Sequence, residues 1–224
     1  MPPLTASQLM RAYAIGVFPM ARHRDDPKLV WIDPEERGIL PLDDFHIPRS
    51  LRKTVRKGPF SVRCDTAFER VMRLCAEPAE DRPETWINDE ILRLFVELHR
   101  MGMTHSVETW LGDELVGGLY GLSLGGAFFG ESMFSRVTDA SKVALVHLVA
   151  RLRFGGYSLL DTQFVTDHLT RFGAREIPRA EYHARLAKAL QRRAVFYGDL
   201  AGEAGAAGVA ALEALLSQSN TQIS

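Results

Sequence analysis

The sequence predicts an α+β fold, and three observations carry that prediction. Residues 104–110, 115–122 and 127–131 are extended apolar runs separated only by the turns Gly112-Asp113 and Gly125-Gly126. Such close succession implies an antiparallel meander rather than strands joined by crossover helices. Helical periodicity flanks the meander on both sides, over 66–101 before it and 140–154 after it. Finally, 224 residues that are 46% hydrophobic and 25% charged provide a core for one large domain, or for one of average size plus a small one.

In chain order, residues 5–15 place Leu9, Ala12, Tyr13 and Gly16 at helical spacing, with Thr5 or Ser7 as the cap. Gly16-Val17-Phe18-Pro19-Met20 ends this helix, because the residue before a proline is driven out of the α region. Residues 28–32 form a short strand carrying Trp31; Pro34 and Gly38 bracket a turn, and 38–41 resumes extended structure. The segment 49–57, RSLRKTVRK, is a basic helix stopped by Gly58-Pro59, and 60–64 is a strand. Helix 66–76 shows Phe68, Val71, Met72 and Cys75 on one face, and polar 77–82 is a loop. Trp86 precedes helix 88–101, whose stripe is Ile91, Leu94, Phe95 and Leu98 and which Gly102 stops. After the meander come helix 140–154, strand 157–161 and helices 167–172 and 179–190. The tail from Ala201, rich in alanine and glycine, reads as a loose helix or a disordered end. A boundary at 58–62 divides the chain into a small N-terminal domain (1–60), a catalytic domain (61–200) and the tail (201–224). The order helix, helix, meander, helix, strand, helix matches acetyltransferase-like (GNAT) folds, whose mixed sheet splays open to admit an acyl donor. That analogy concerns the fold alone.

Composition narrows the function. A net charge of −1 means that any nucleic-acid surface must be local. Two cysteines, Cys64 and Cys75, do not make a disulfide scaffold and read as free thiols of a reducing cytosol. No basic stretch followed by an apolar block opens the chain, and no apolar run approaches the length of a membrane span, so no signal peptide and no membrane partner are expected. No HExxH, CxxC, GxSxG, Walker loop or GxGxxG occurs, and His99 and His105 are not at ligand spacing. Neither a metal nor a cofactor is expected.

Chemistry concentrates in FFGESMFSRVTDASK, 128–142, a polar run between two well-patterned elements. Glu131 follows Phe129 at strand spacing, so these two share a face while Phe128 points the other way. For Phe128 and Glu131 to line one pocket, the strand must bulge or end at Gly130. Two further signals point to the same place: His105-Ser106-Val107-Glu108 with Trp110, and Asp161-Thr162-Gln163 at a strand end. Asp161 and Gln163 can face one side together, where a carboxylate can orient an amide whose oxygen accepts from an amine. Trp31 and Trp86 sit where elements meet loops and could stack a base. Arg49, Arg52, Lys53, Arg56 and Lys57 put five cations in nine residues without an acid, which favours a phosphate partner. Each has a plainer alternative: a solvated strand end for Glu131, a turn cap for Asp161, exposure for Gln163, core packing for the tryptophans and a solvated face for the helix.

Taken together, YAIGVFPM (13–20), WIDPEERG (31–38), TWI (85–87), LHRMGMTHSVETW (98–110), LVGGLYGLSLGGAFFGESMFSRVTDASKVAL (115–145) and LLDTQFVTDHLTRFGAREIPR (159–179) resemble the leucyl/phenylalanyl-tRNA–protein transferase family. The resemblance covers most of residues 10–180, with GESMFSR the most specific part, and does not reach the tail. Phe95 departs from it, since the family commonly has a tyrosine there. The resemblance implies a cytoplasmic aminoacyltransferase with a GNAT-like catalytic domain. Its donors would be aminoacyl-tRNAs carrying leucine or phenylalanine and, less well, methionine. Its acceptors would be proteins with N-terminal arginine or lysine, marked thereby for N-end-rule degradation. Carried over by motif, Trp31, Trp86, Phe95 and Phe128 would line the donor site, with Met133, Leu145 and Leu160 as pocket walls. Glu131, Asp161 and Gln163 would be the catalytic group, Glu131 attracting the cationic acceptor residue, and the 49–57 helix would meet tRNA. Two other classes stay open from sequence: a GNAT N-acyltransferase with a coenzyme A donor, and a non-catalytic tRNA-binding protein. The absence of glycine from 135–140, where a pyrophosphate loop would lie, counts against the first.

Overall fold

A computed structural model describes residues 4–78, 84–196 and 210–217. Thr5 opens α1 (Ala6–Ala14) with a reciprocal capping box to Gln8, satisfying two otherwise orphaned donors. The next segment, expected only to end that helix, is a strand. β1 (Phe18–Ala21) pairs antiparallel with β2 (Leu29–Ile32) as a separate two-stranded sheet. Pro19 is tolerated because such a sheet consists of edges, where a missing N–H costs little.

The chain continues through β3 (Glu36–Ile39), α2 (Arg49–Lys57), β4 (Ser61–Cys64), α3 (Phe68–Cys75), α4 (Asp89–Arg100), β5 (Thr104–Leu111), β6 (Glu114–Leu124) and β7 (Ala127–Ser135). After these come α5 (Ala140–Phe154), β8 (Leu159–Gln163), α6 (Asp167–Thr170), β9 (Arg175–Pro178), α7 (Arg179–Leu190) and a helix over 210–217. The α+β class and the meander are observed. Beyond residue 78 the expected 77–82 loop lies outside the described residues, as do 201–209 and 218–224 of the tail. Helix 210–217 is docked, with Leu215 and Leu216 buried.

The main sheet has seven strands in the order β4-β5-β6-β7-β8-β3-β9. Every pair in it is antiparallel except β7–β8. Residues 36–39, which belong to the first sixty, thus supply an interior strand between β8 and β9. The extended structure expected at 38–41 overlaps β3 (ERGI) only at Gly38 and Ile39, and β9 (REIP) escaped the sequence reading, because charged residues hide the alternation that marks a strand. β7 also outruns its expected end at 131 by four residues, as Ser132 to Ser135 pair with Gly117 to Tyr120.

Helices cover both faces. One apolar cluster joins α1, α3, α4 and α7 to the sheet through Tyr13, Phe68, Leu94, Phe129 and Tyr182. The other joins α2, α5 and helix 210–217 through Leu51, Leu145, Phe128, Leu160 and Leu216. α5 is buried around nearly its whole circumference, which its apolar composition requires. Burying one leucine of this kind stabilises by about 1.5–3 kcal/mol. Glu108, singled out in the sequence, has a structural task. Fully buried, it accepts from the Thr66 and Ala67 amides (2.9 and 2.7 Å), the Thr66 and Ser106 hydroxyls and the Trp110 indole. It thereby caps α3, whose own N-cap, Ala67, has no polar side chain. Among the described residues, no helix is long and apolar enough to cross a membrane.

Candidate active site

The sheet opens where its one parallel pair gives out. β7 and β8 are paired from Ala127–Leu159 to Phe129–Asp161. A cavity of about 740 Å³ lies beside the strand ends that follow. Its apolar wall includes Leu119, Met133, Leu145, Leu148 and Leu160; Phe18, Met20, Trp86 and Phe164 also border it, and Glu131 and Gln163 bring polar groups to it. Leu119, Leu145, Leu148 and Leu160 belong to the α5-side cluster, whereas Phe18 belongs to the opposite one. The cavity therefore draws walls from both faces of the split sheet.

Gln163 sits in a strained turn. Its φ is +57°, a left-handed value, and the Phe164 amide donates back to the Thr162 carbonyl at 2.6 Å. A non-glycine residue held there costs about 1–3 kcal/mol and persists only where its surroundings enforce it. Asp161 is the enforcing group, since its Oδ1 accepts the Gln163 amide proton at 2.8 Å. The orientation that satisfies the Gln163 side chain turns its nitrogen to the Gly130 and Thr162 carbonyls, 2.8 and 3.2 Å away. Its oxygen is then left to accept from a ligand. Asp161 thus orients Gln163 through the backbone and not, as the sequence suggested, through the amide group. Gly38 lets β3 approach this turn, because a Cβ there would lie 2.6 Å from the Phe164 carbonyl carbon.

Asp161 is itself anchored from beneath. Arg37 donates to both carboxylate oxygens (Nε 2.9 Å, Nη2 2.6 Å), and the Tyr182 hydroxyl adds a third bond at 2.7 Å. Arg37 also holds the Gly16 carbonyl at 2.9 Å and lies between the Phe18 and Tyr182 rings, 4.5 and 4.4 Å from their centroids. Burial opposes its charge, but the hydrogen bond and charge of Asp161 outweigh that and raise its pKa. Burial, followed by the Asp161 charge, keeps the Tyr182 phenol protonated.

Glu131 lies where β7 bulges. Tyr120 is paired with Ser132 but Gly121 with Gly130, so Glu131 is the extra residue. Gly121 makes room for it, as a Cβ there would lie 2.3 Å from the Phe129 carbonyl oxygen. Oε1 accepts from the Tyr13 hydroxyl at 2.8 Å. The Tyr13 ring is packed edge-on against Phe129 and Phe95 at 5.0 and 6.4 Å. Burial pushes the Glu131 carboxyl up to about 8; the Tyr13 bond and Arg37 pull it down, and Asp161 pushes it further up.

The residues singled out in the sequence are distributed as follows. Glu131, Gln163, Met133, Leu145, Leu160 and Trp86 meet at the cavity, and Asp161 lies directly behind Gln163. Trp31 is on β2, 42% exposed, and is not a lining residue. Phe95 is wholly buried behind Tyr13 and Tyr120. Phe128 faces the other cluster, against Tyr157 and Phe196, so it and Glu131 do not share a pocket. His105 is paired with Asp65 at 2.8 Å, on a strand that contributes nothing to the cavity. On α2, Arg49, Lys53, Arg56 and Lys57 are exposed, while Arg52 is partly buried and bonded to the Ile47 carbonyl. Arg56 meets Glu213 of helix 210–217 at 3.1 Å, an acid that lies far from the basic run in sequence.

Sequence reasoning missed Arg37, Tyr13, Tyr182 and Phe164. A charged residue beside a glycine in WIDPEERG was the available sign of Arg37, and Tyr13 lay within YAIGVFPM. Nothing in the sequence marked Tyr182.

Comparison with known proteins identifies the family. Residues 39–187 match a family model described as leucyl/phenylalanyl-tRNA protein transferase, and residues 3–35 match the model of that family's N-terminal domain. A leucyl/phenylalanyl-tRNA–protein transferase of Paramagnetospirillum magneticum is 69% identical over 196 residues, covering 88% of this chain and 94% of the relative. Similarly named proteins of Rhodospirillum rubrum and Caulobacter vibrioides are 64% and 62% identical, covering 84% and 90% of this chain and 88% and 93% of their own lengths.

Proposed function

This chain belongs to the leucyl/phenylalanyl-tRNA–protein transferase family, and from that premise we propose that the cavity between β7 and β8 receives the aminoacyl end of a charged tRNA while Gln163 meets the acceptor's amino group. The protein is an aminoacyltransferase acting on aminoacyl-tRNA and on proteins. The observation that supports this site most directly is the strained Gln163 turn, held open beside an apolar cavity by a buried ion pair.

The chemistry asks little beyond placement. An aminoacyl ester is already activated, so aminolysis runs downhill. An α-amino group with a pKa of about 8 is partly neutral near pH 7. Holding the amine at the ester carbon then supplies much of the rate. The Gln163 oxygen accepts one N–H of the amine and aims its lone pair at the ester. We assign leucine and phenylalanine as donors, methionine less well, and N-terminal arginine or lysine as acceptors, in the cytoplasm where charged tRNA is made. The splayed β7–β8 pair supports an acetyltransferase-like reading of the catalytic domain. The test is transfer of labelled leucine from charged tRNA to a peptide beginning with arginine. A protein that binds charged tRNA but leaves the peptide unmodified would refute the reading.

Met133 shapes donor choice. Leucine, phenylalanine and methionine are unbranched at Cβ, so a pocket with a narrow neck and a wide base admits them and excludes isoleucine and valine. A thioether at the base adapts to both a ring and a forked chain. Met133→Ala is expected to shift preference from leucine to phenylalanine by roughly tenfold, with isoleucine still excluded. Competition among the three charged tRNAs reads this out, and acceptance of isoleucine would place Met133 at the neck instead.

Reversing charge at Arg52, Lys53 and Arg56 is expected to weaken binding of every tRNA species alike, because phosphate contacts carry no information about the amino acid. The slope of log K against log salt should flatten by about one for each phosphate that is no longer neutralised. Unaltered affinity and slope would leave α2 as a solvated face.

A further inference from the structure

We propose that Glu131 is the proton carrier of the transfer reaction, and that the Tyr13 hydroxyl, reaching it from α1, is the positioning group that holds its carboxylate in place. The inference rests on the function proposed above and adds a step to it.

The backbone directs Glu131 to the task. As the extra residue of the β7 bulge it has no partner opposite it on β6, and its side chain lines the same cavity as Gln163. A bulge bends the strand locally and in doing so re-aims one side chain. Tyr13 then fixes one oxygen. Its ring is caged by Phe95 and Phe129, and its hydroxyl can serve only as a donor to Oε1, since burial and then the Glu131 charge raise its own pKa well above the usual phenol range. Oε2 takes part in no hydrogen bond among the described residues.

The neighbouring groups leave Glu131 as the proton acceptor. It is faced by Tyr13 from α1, Arg37 from β3 and Asp161 from β8, with Tyr120 of β6 acting through Tyr13. Arg37 is bonded to Asp161, Tyr182 and the Gly16 carbonyl, so it acts on Glu131 through its charge and not through a direct bond. Asp161 accepts from Arg37 twice, Tyr182 and the Gln163 amide. Gln163 cannot take up a proton. Glu77, also at the cavity, is engaged by Arg136 at 2.9 Å. His168 lines the cavity too, but burial, then Lys142 and Arg171, lower its basicity.

Burial pushes the Glu131 carboxyl up to about 8, close to the pH at which the reaction runs, where a general acid–base group is most effective.

The step balances. The neutral amine attacks the ester carbonyl carbon, forming the C–N bond. Its surplus proton passes to Glu131, the bond from carbon to the ribose oxygen breaks, and Glu131 returns that proton to the ribose oxygen. The products are an amide and a free ribose hydroxyl, and Glu131 ends ionised as it began.

The test is the pH dependence of single-turnover leucine transfer by the full chain, using two arginine-starting peptides whose amines differ in pKa. The wild-type rate should rise with pH through two inflections, one that follows the amine of the peptide and one near 8 that is the same for both peptides. Glu131→Gln, which can still accept from Tyr13, should lose about a hundredfold and lose that inflection. Tyr13→Phe should move the inflection upward, because the hydroxyl holds the Glu131 pKa down, and should recover toward wild type at high pH. Recovery is what a merely structural role for Tyr13 would not produce. Absence of the peptide-independent inflection from the wild type, or its survival in Glu131→Gln, overturns the proposal. Absence of any transfer by the wild-type chain would instead refute the transferase reading itself.

Discussion

Gln163→Ala is expected to lower the single-turnover transfer rate by about a hundredfold while affinity for charged tRNA changes little. In the proposed site the apolar walls and phosphate contacts elsewhere would hold the donor, while Gln163 would point the amine at the ester, an effect realised as the transition state is approached. The Gly130 and Thr162 carbonyls that it bonds are backbone groups at a cavity wall, which water can reach in the variant. The fold should therefore survive, and a thermal melt beside the rate measurement separates the two effects. A folded variant with an undiminished rate would remove Gln163 from the chemistry.

Asp161→Ala should do more damage, to stability as well as rate. Arg37 is 1% exposed and Asp161 wholly buried, so removing the carboxylate leaves an uncompensated cation inside the protein. Breaking a buried pair on one side costs about 3–5 kcal/mol. For a chain of this size that corresponds to a fall in Tm of roughly 10 °C. The Gln163 turn would also lose the acceptor that enforces its left-handed backbone. The double variant Arg37→Leu with Asp161→Leu separates these roles. Stability should return in large part, because a well-packed apolar pair often replaces a buried ion pair at no net cost, whereas transfer should stay slow. Activity regained with stability would show that the pair only holds the fold; full stability in Asp161→Ala alone would show that Arg37 finds another partner.

These two residues illustrate how far the site could be read from sequence. Asp161 and Gln163 stood out as polar residues at the end of an apolar strand, and the structure puts Gln163 at the cavity with Asp161 behind it. What spacing could not convey was that Asp161 would be consumed by Arg37, 124 positions away. Arg37 itself was hidden because β3 buries a charged residue where the alternation rule expects an apolar one. Phe128 and Glu131 show the converse. The resemblance put both at one site, but Phe128 packs in the core on the α5 side while Glu131, the extra residue of the bulge, lines the cavity. The α2 cations formed an uninterrupted run, yet Glu213 reaches one of them from the tail.

The sequence by itself determined the α+β class, the meander, the principal helices and, through residues 13–20 and 115–179, the family. Each of these rests on local periodicity, turn chemistry or a continuous motif, information that lies within a few tens of residues. Tertiary structure alone decided that β3 would enter the sheet between β8 and β9, that Tyr13 would meet Glu131, and that Arg37 and Tyr182 would close around Asp161. The partners in these contacts are more than 20 positions apart, and their positions follow from strand order rather than pattern. The physical reason is that a buried polar group must be satisfied, while its own sequence neighbourhood does not say by what. The partner is whatever the packed elements bring within about 3 Å, and only the assembled sheet determines which elements those are.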